Sequence, residues 1–137
     1  MREALNHVGE RIIGAALKVH TALGPGLLES AYEACLAHEL SKAGLHTARQ
    51  VALPLRYDGV ELDCAYRLDL VVESLIVVEL KSVEKLLPIH SAQLIAYLKM
   101  GQYPLGYLLN FNTLHLRDGV KRLINSSCAS APSVPSL

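Results

Sequence analysis

Apolar residues recur at Leu5, Val8, Ile12, Ala16, Val19 and Leu23, a spacing of three and four that predicts a helix with one buried face. The "LGPG" at 23–26 ends it. A second helix is expected from about 27 to 43, with an apolar arc of Leu28, Ala31, Tyr32, Cys35, Leu36 and Leu40 and a C-cap at Gly44. The period then falls to two. "QVALPLRYDGVELDCAY" reads as two strands around an Asp58-Gly59 turn, and "YRLDLVVE" and "LIVVELKSV" as two more. "PIHSAQLIAYLKMG" predicts a third helix from Pro88 to Gly101, and "LGYLLNFN" and "VKRLIN" two final strands. The order α-α-β-β-β-β-α-β-β predicts an α/β (α+β) fold in which helices flank a sheet. One domain is expected over 1–124. The Ser/Ala/Pro-rich tail at 125–137 is expected to be disordered.

Composition narrows this only in part. A chain of 137 residues suffices for one core, and its 51% hydrophobic content marks it as globular. No apolar run reaches the roughly 18 residues of a membrane span, and "MREALNHVGERI" lacks the apolar stretch of a signal peptide. Cys35, Cys64 and Cys128 have no ligand spacing and read as incidental thiols of a reducing, cytoplasmic compartment. Thirteen basic residues balance thirteen acidic ones. The basic footprint of a free-standing nucleic-acid binder is therefore missing, and the neutral, apolar composition favours some self-association.

Chemistry enters where charge interrupts the apolar strands. Glu79 and Lys81 lie two apart, so both side chains leave one face. Asp69 sits in "RLDLVV" on the preceding strand. A two-residue turn (Glu73-Ser74) would point it away from Glu79, whereas a three-residue loop (Glu73 to Leu75) would set it opposite. Paired carboxylates repel unless a cation intervenes. Lys81 is one such cation. A divalent metal with oxygen ligands is another, and it would activate water against a phosphodiester. A purely structural ion pair fits the same residues. On the second helix Glu29 projects between Leu36 and Leu40, toward the core, although an acid in a first turn also answers to the helix dipole. On the third, His90, Gln93 and Tyr97 share a polar face.

Asp69, nine intervening residues and then Glu79-Leu80-Lys81 resemble the D…(D/E)xK core of the PD-(D/E)XK nuclease superfamily. "GLLESAY" (26–32) resembles the motif of its GxxExxY branch, through Gly26, Glu29 and Tyr32. Gln93 and Tyr97 are similar to the QxxxY element of the exonuclease-like branch. The resemblance spans roughly residues 5 to 124. It implies a central mixed β-sheet flanked by helices, a restriction-endonuclease-like core. It also implies a metal-dependent nuclease acting on DNA with Mg²⁺, or Mn²⁺ as substitute. Asp69 and Glu79 would bind the metal, with the Leu80 carbonyl as a further ligand and Glu29 completing the site. Lys81 would be the catalytic lysine, supported by Gln93 and Tyr97. The alternative is a nuclease-like module that acts through a protein partner or as a homo-oligomer without cutting.

Overall fold

The computed structural model describes residues 2–128, apart from the side chains of residues 64 and 65. Helix α1 (Arg2–Leu23) buries Leu5, Gly9, Ile12, Ala16, Val19 and His20; of the expected stripe Val8 is half-buried and Leu23 exposed, so the buried face runs through Gly9 and His20 in their place. It stops at Gly24, whose φ of 70° suits the left-handed residue past a helix end. Helix α2 (Glu29–Lys42) starts two residues later than its apolar pattern implied. It closes with a Schellman motif at Gly44 (φ 80°), in which Leu45 N–H reaches Leu40 O at 3.0 Å and Gly44 N–H reaches Ser41 O at 3.0 Å.

Strands β1 (Thr47–Tyr57) and β2 (Val60–Val72) form a long hairpin around Asp58-Gly59. Both turn residues have positive φ, at 54° and 75°, as a two-residue primed turn requires. The segments read as two separate strands, around 60–66 and 66–73, are one continuous strand. The apparent break was only the polar stretch of an exposed arm. Strand β3 (Ile76–Lys81) is followed by α3 (Pro88–Gly101) and β4 (Leu105–Asn110). A short 3-10 turn (Leu116–Gly119) leads into β5 (Val120–Ile124). The sheet order is β1-β2-β3-β4-β5, antiparallel except between β3 and β4, where α3 supplies the crossover a parallel pair needs.

Helices cover the sheet on both faces. Leu70, Val72, Ile76, Val78, Leu80, Leu109 and Phe111 pack under α1 and α2, against Ile12, Tyr32, Leu36 and Leu40. Leu53, Leu68, Val71, Val77 and Leu108 pack under Leu94 and Leu98 of α3. This is why β3 and β4 read as unbroken apolar runs: every residue from 76 to 80 and from 105 to 110 is buried. The mixed sheet between helices is the α/β arrangement expected from the element order.

The tail begins later than its composition suggested. Residues 125–128 are packed, with Asn125 Nδ2 donating to Leu98 O and Tyr103 O at 3.1 and 3.0 Å. An asparagine that finds buried carbonyls is held despite its polar neighbours. The rest of the tail, 129–137, lies outside the described residues, as does the Cys64 side chain.

Candidate active site

Three residues, Glu73 to Leu75, join β2 to β3. Val72 pairs with Ile76, Val71 with Val77 and Leu70 with Val78. Glu73 and Ser74 take φ of 56° and 57°, and Leu75 N–H closes the turn on Val72 O at 3.1 Å. His46 supports it from outside: its N–H donates to Glu73 Oε2 at 2.6 Å, while its carbonyl accepts Glu73 N–H at 2.8 Å. This register brings Asp69 and Glu79 level, as the longer of the two loops predicted.

The pair is more closely linked than two side chains sharing a face. Asp69 N–H donates to Glu79 Oε2 at 2.8 Å, and Leu80 N–H donates to Asp69 Oδ2 at 2.9 Å. Each carboxylate takes a backbone donor of the opposite strand, where further ladder bonds would otherwise run. The cause lies in β2 and β1 together. Leu68 belongs to the core under α3 and Leu70 to the core under α1 and α2, although residues two apart on a regular strand share a face. The alternation breaks at Asp69. Between the flanking pairs Arg49–Leu70 and Val51–Leu68, Gln50 of β1 sits at φ 51°.

Glu33 of α2 completes this side of the site, and the sequence reading passed over it. It is buried, with Oε2 accepting from Arg49 Nε at 3.1 Å and Oε1 from Gln50 Nε2 at 2.7 Å. The Gln50 amide also reaches Asp69 Oδ1 at 3.4 Å. Its signal was present: Glu33 stands three, four and seven residues before Leu36, Ala37 and Leu40, which are all buried. Glu29, placed on the same arc, is exposed, because the first turn of α2 runs past the end of β3. Leu28, counted with the apolar arc, is 76% exposed for the same reason. Glu29 Oε2 accepts the Ser82 N–H at 3.3 Å, and Ser82 Oγ donates to Leu27 O at 2.7 Å. Tyr32 secures the loop beneath: its hydroxyl donates to Gly24 O at 2.6 Å and accepts Leu27 N–H at 3.1 Å. Its ring stacks on Phe111, with centroids 4.5 Å apart.

On the α3 side, Glu79, Lys81, His90, Gln93 and Tyr97 line one small cleft of about 30 Å³. The Gln93/Tyr97 face thus meets the strand-borne charges. His90 also has a local role, since its Nδ1 accepts Leu87 N–H at 3.0 Å at the start of α3. Asn110, at the end of apolar β4, is a second residue the sequence reading missed. Its amide brackets Val83, accepting its N–H at 3.1 Å and donating to its carbonyl at 2.9 Å, and so fixes the chain just past Lys81.

Burial dominates the electrostatics. It pushes Glu79 up to about 8, aided by the charge of Asp69 and opposed by the Asp69 N–H bond and by Lys81. Asp69 is raised too, by burial first, against the Leu80 N–H bond, with Glu33 and then Glu29 adding repulsion. Burial and then Glu79 raise the Tyr97 phenol. Among the described residues no group of three or more His, Cys, Asp or Glu is gathered as a metal-holding set. Glu29 is therefore close enough to repel Asp69, but it is not drawn into one cluster with Asp69 and Glu79.

A family model described as the PD-(D/E)XK nuclease superfamily matches residues 6–123. No curated protein and no solved structure matches the chain.

Proposed function

The chain belongs to the PD-(D/E)XK nuclease superfamily, and from that membership we propose that it is a metal-dependent nuclease of the GxxExxY branch, hydrolysing phosphodiester bonds in DNA at Asp69, Glu79 and Lys81. The observation that carries the reading is the reciprocal linkage of Asp69 and Glu79. Two adjoining carboxylates are each held by a backbone N–H, and both are driven toward protonation, by burial first and then by neighbouring charge, Asp69 acting on Glu79 and Glu33 and Glu29 acting on Asp69. Buried carboxylates held in this way are costly as a purely structural device, and a bound cation would offset that cost.

The donor chemistry fits a hard divalent ion: all oxygen, with two carboxylates whose repulsion a cation would offset. Asp69, Glu79 and the Leu80 carbonyl would hold Mg²⁺, with Mn²⁺ as substitute. When bound, the ion supplies charge against the phosphate and lowers the pKa of water. Lys81 leaves the Glu79 face, so its ammonium can donate to the attacking water and offset charge on the scissile phosphate. The raised Tyr97 phenol stays protonated and donates. The Gln93 amide supplies further donors at the mouth of the cleft. Glu29, held against Ser82 N–H, sets the end of β3 and with it the backbone beside Lys81.

The test is cleavage of labelled single- and double-stranded DNA and RNA with Mg²⁺ or Mn²⁺. Wild type should cut DNA. Glu79→Ala and Lys81→Ala should each lose at least about 100-fold in rate, with circular dichroism unchanged. A well-folded wild type that cuts none of these substrates would leave the non-catalytic, partner-binding reading in its place.

A further inference from the structure

Outward from Gln50 and Asp69, β1 and β2 pair with each other alone, and the arm they form is two-sided. Leu53 opposes Tyr66 and, beyond an irregularity in the ladder between Leu53 and Leu55, Leu55 opposes Leu62 and Tyr57 opposes Val60, so the two residues of each pair share a face. At the base that face is covered, because Leu53 and Leu68 are buried under α3. Further out, Tyr66, Leu62, Val60 and Tyr57 are 42%, 40%, 54% and 73% exposed.

Its position says what it binds. The arm presents this face on the α3 side of the sheet, where Glu79 and Lys81 open into their cleft. Contact between the two is direct. The Tyr66 ring leans on Tyr97, with centroids 5.8 Å apart and planes at 52°, and Tyr97 lines the cleft with Glu79, Lys81 and Gln93. One tyrosine thus separates the arm from the carboxylates. A half-exposed aromatic ring in contact with a residue of the cleft offers a surface on which a base can stack.

We infer that Tyr66 is a nucleobase-stacking residue that guides a strand into the cleft, and that the substrate is therefore single-stranded or frayed. The inference rests on the nuclease reading above. In a duplex both faces of each base are covered by its neighbours, so only an unstacked base can lie on Tyr66. Aromatic stacking is tolerant of base identity and contributes to affinity for single strands. Tyr66 would determine substrate form rather than take part in the chemistry.

Fluorescence anisotropy separates the cases. In a Glu79→Gln background, which keeps the oligonucleotide intact, the full chain is titrated with Mg²⁺ against a labelled oligothymidylate and a blunt duplex of equal length. Tighter binding of the single strand is expected. Tyr66→Ala should weaken it at least about fivefold and leave duplex binding unchanged, while Tyr66→Trp should restore it. Tyr66→Leu keeps apolar area on the arm without a π-face, and should lose affinity as the alanine variant does even if alanine disturbs the hairpin. Unchanged single-strand affinity in both variants, or an equal loss for both oligonucleotides, would overturn the assignment. A folded wild-type chain that neither binds nor cuts these oligonucleotides with Mg²⁺ would instead sink the nuclease reading itself, and this inference with it.

Discussion

Glu79 is where the demands of folding and of chemistry conflict most directly. The residue is 8% exposed, beside a second carboxylate, and keeps its charge only at a cost. Its pKa is raised from 4.5 to about 8 in the folded chain, so the folded state holds the proton more tightly than the unfolded one. The stability this contributes is complete below the unfolded value and is lost as pH rises through about 8. Metal-free protein should therefore lose stability between roughly pH 4.5 and 8, by a few kcal/mol, as read from denaturant midpoints in chelator. Glu79→Gln should flatten this profile, and a divalent ion should restore stability at the alkaline end. A wild-type profile as flat as that of the glutamine variant would argue against the buried, proton-binding carboxylate.

Individual elements show why the sequence was informative about some positions and not others. Helix α1 declared itself through its three-four stripe, yet one member of that stripe is a glycine the apolar pattern skips. A Cβ on Gly9 would clash with the Tyr107 hydroxyl oxygen, and Tyr107 is buried in β4. Gly9→Ala should cost about 1–3 kcal/mol by overpacking, although alanine is the better helix former. Tyr107→Phe, which removes the clashing oxygen, should recover much of it. Thermal melts of the two single variants and the double variant measure that coupling. On α2 the helical spacing places Glu29 on the apolar arc and the reading passed over Glu33, because such spacing carries no information about where the sheet ends. Glu29 overhangs that end and Glu33 does not, so the buried acid was the one overlooked. Asn110 was hidden differently: its partners are backbone atoms of Val83, which no spacing rule reveals.

At the scale of the molecule, alternation and turn residues were enough to recover the layers and the hairpin turn, but left the link between β2 and β3 open between two residues and three. The charged positions in those strands were visible because they violated the pattern around them. Out of reach were the continuity of β2, whose two halves read as separate strands, and the change of face at Asp69. That change comes from Gln50 and Asp69 acting across two strands. The arm beyond it contributes no pairing to β3, and its tip at Asp58-Gly59 stands clear of both cores. Length at that tip is therefore decoupled from the carboxylates: a short Gly/Ser insertion between Asp58 and Gly59 adds mainly loop-closure entropy, which grows only slowly with length. Such an insertion should leave the melting temperature within a few degrees of wild type and any metal-dependent cleavage intact, whereas the same insertion in the Glu73–Leu75 link should abolish both. The arm is in that sense a modular graft point, a place where a reporter or an added recognition segment can be spliced in while Asp69 and Glu79 stay undisturbed.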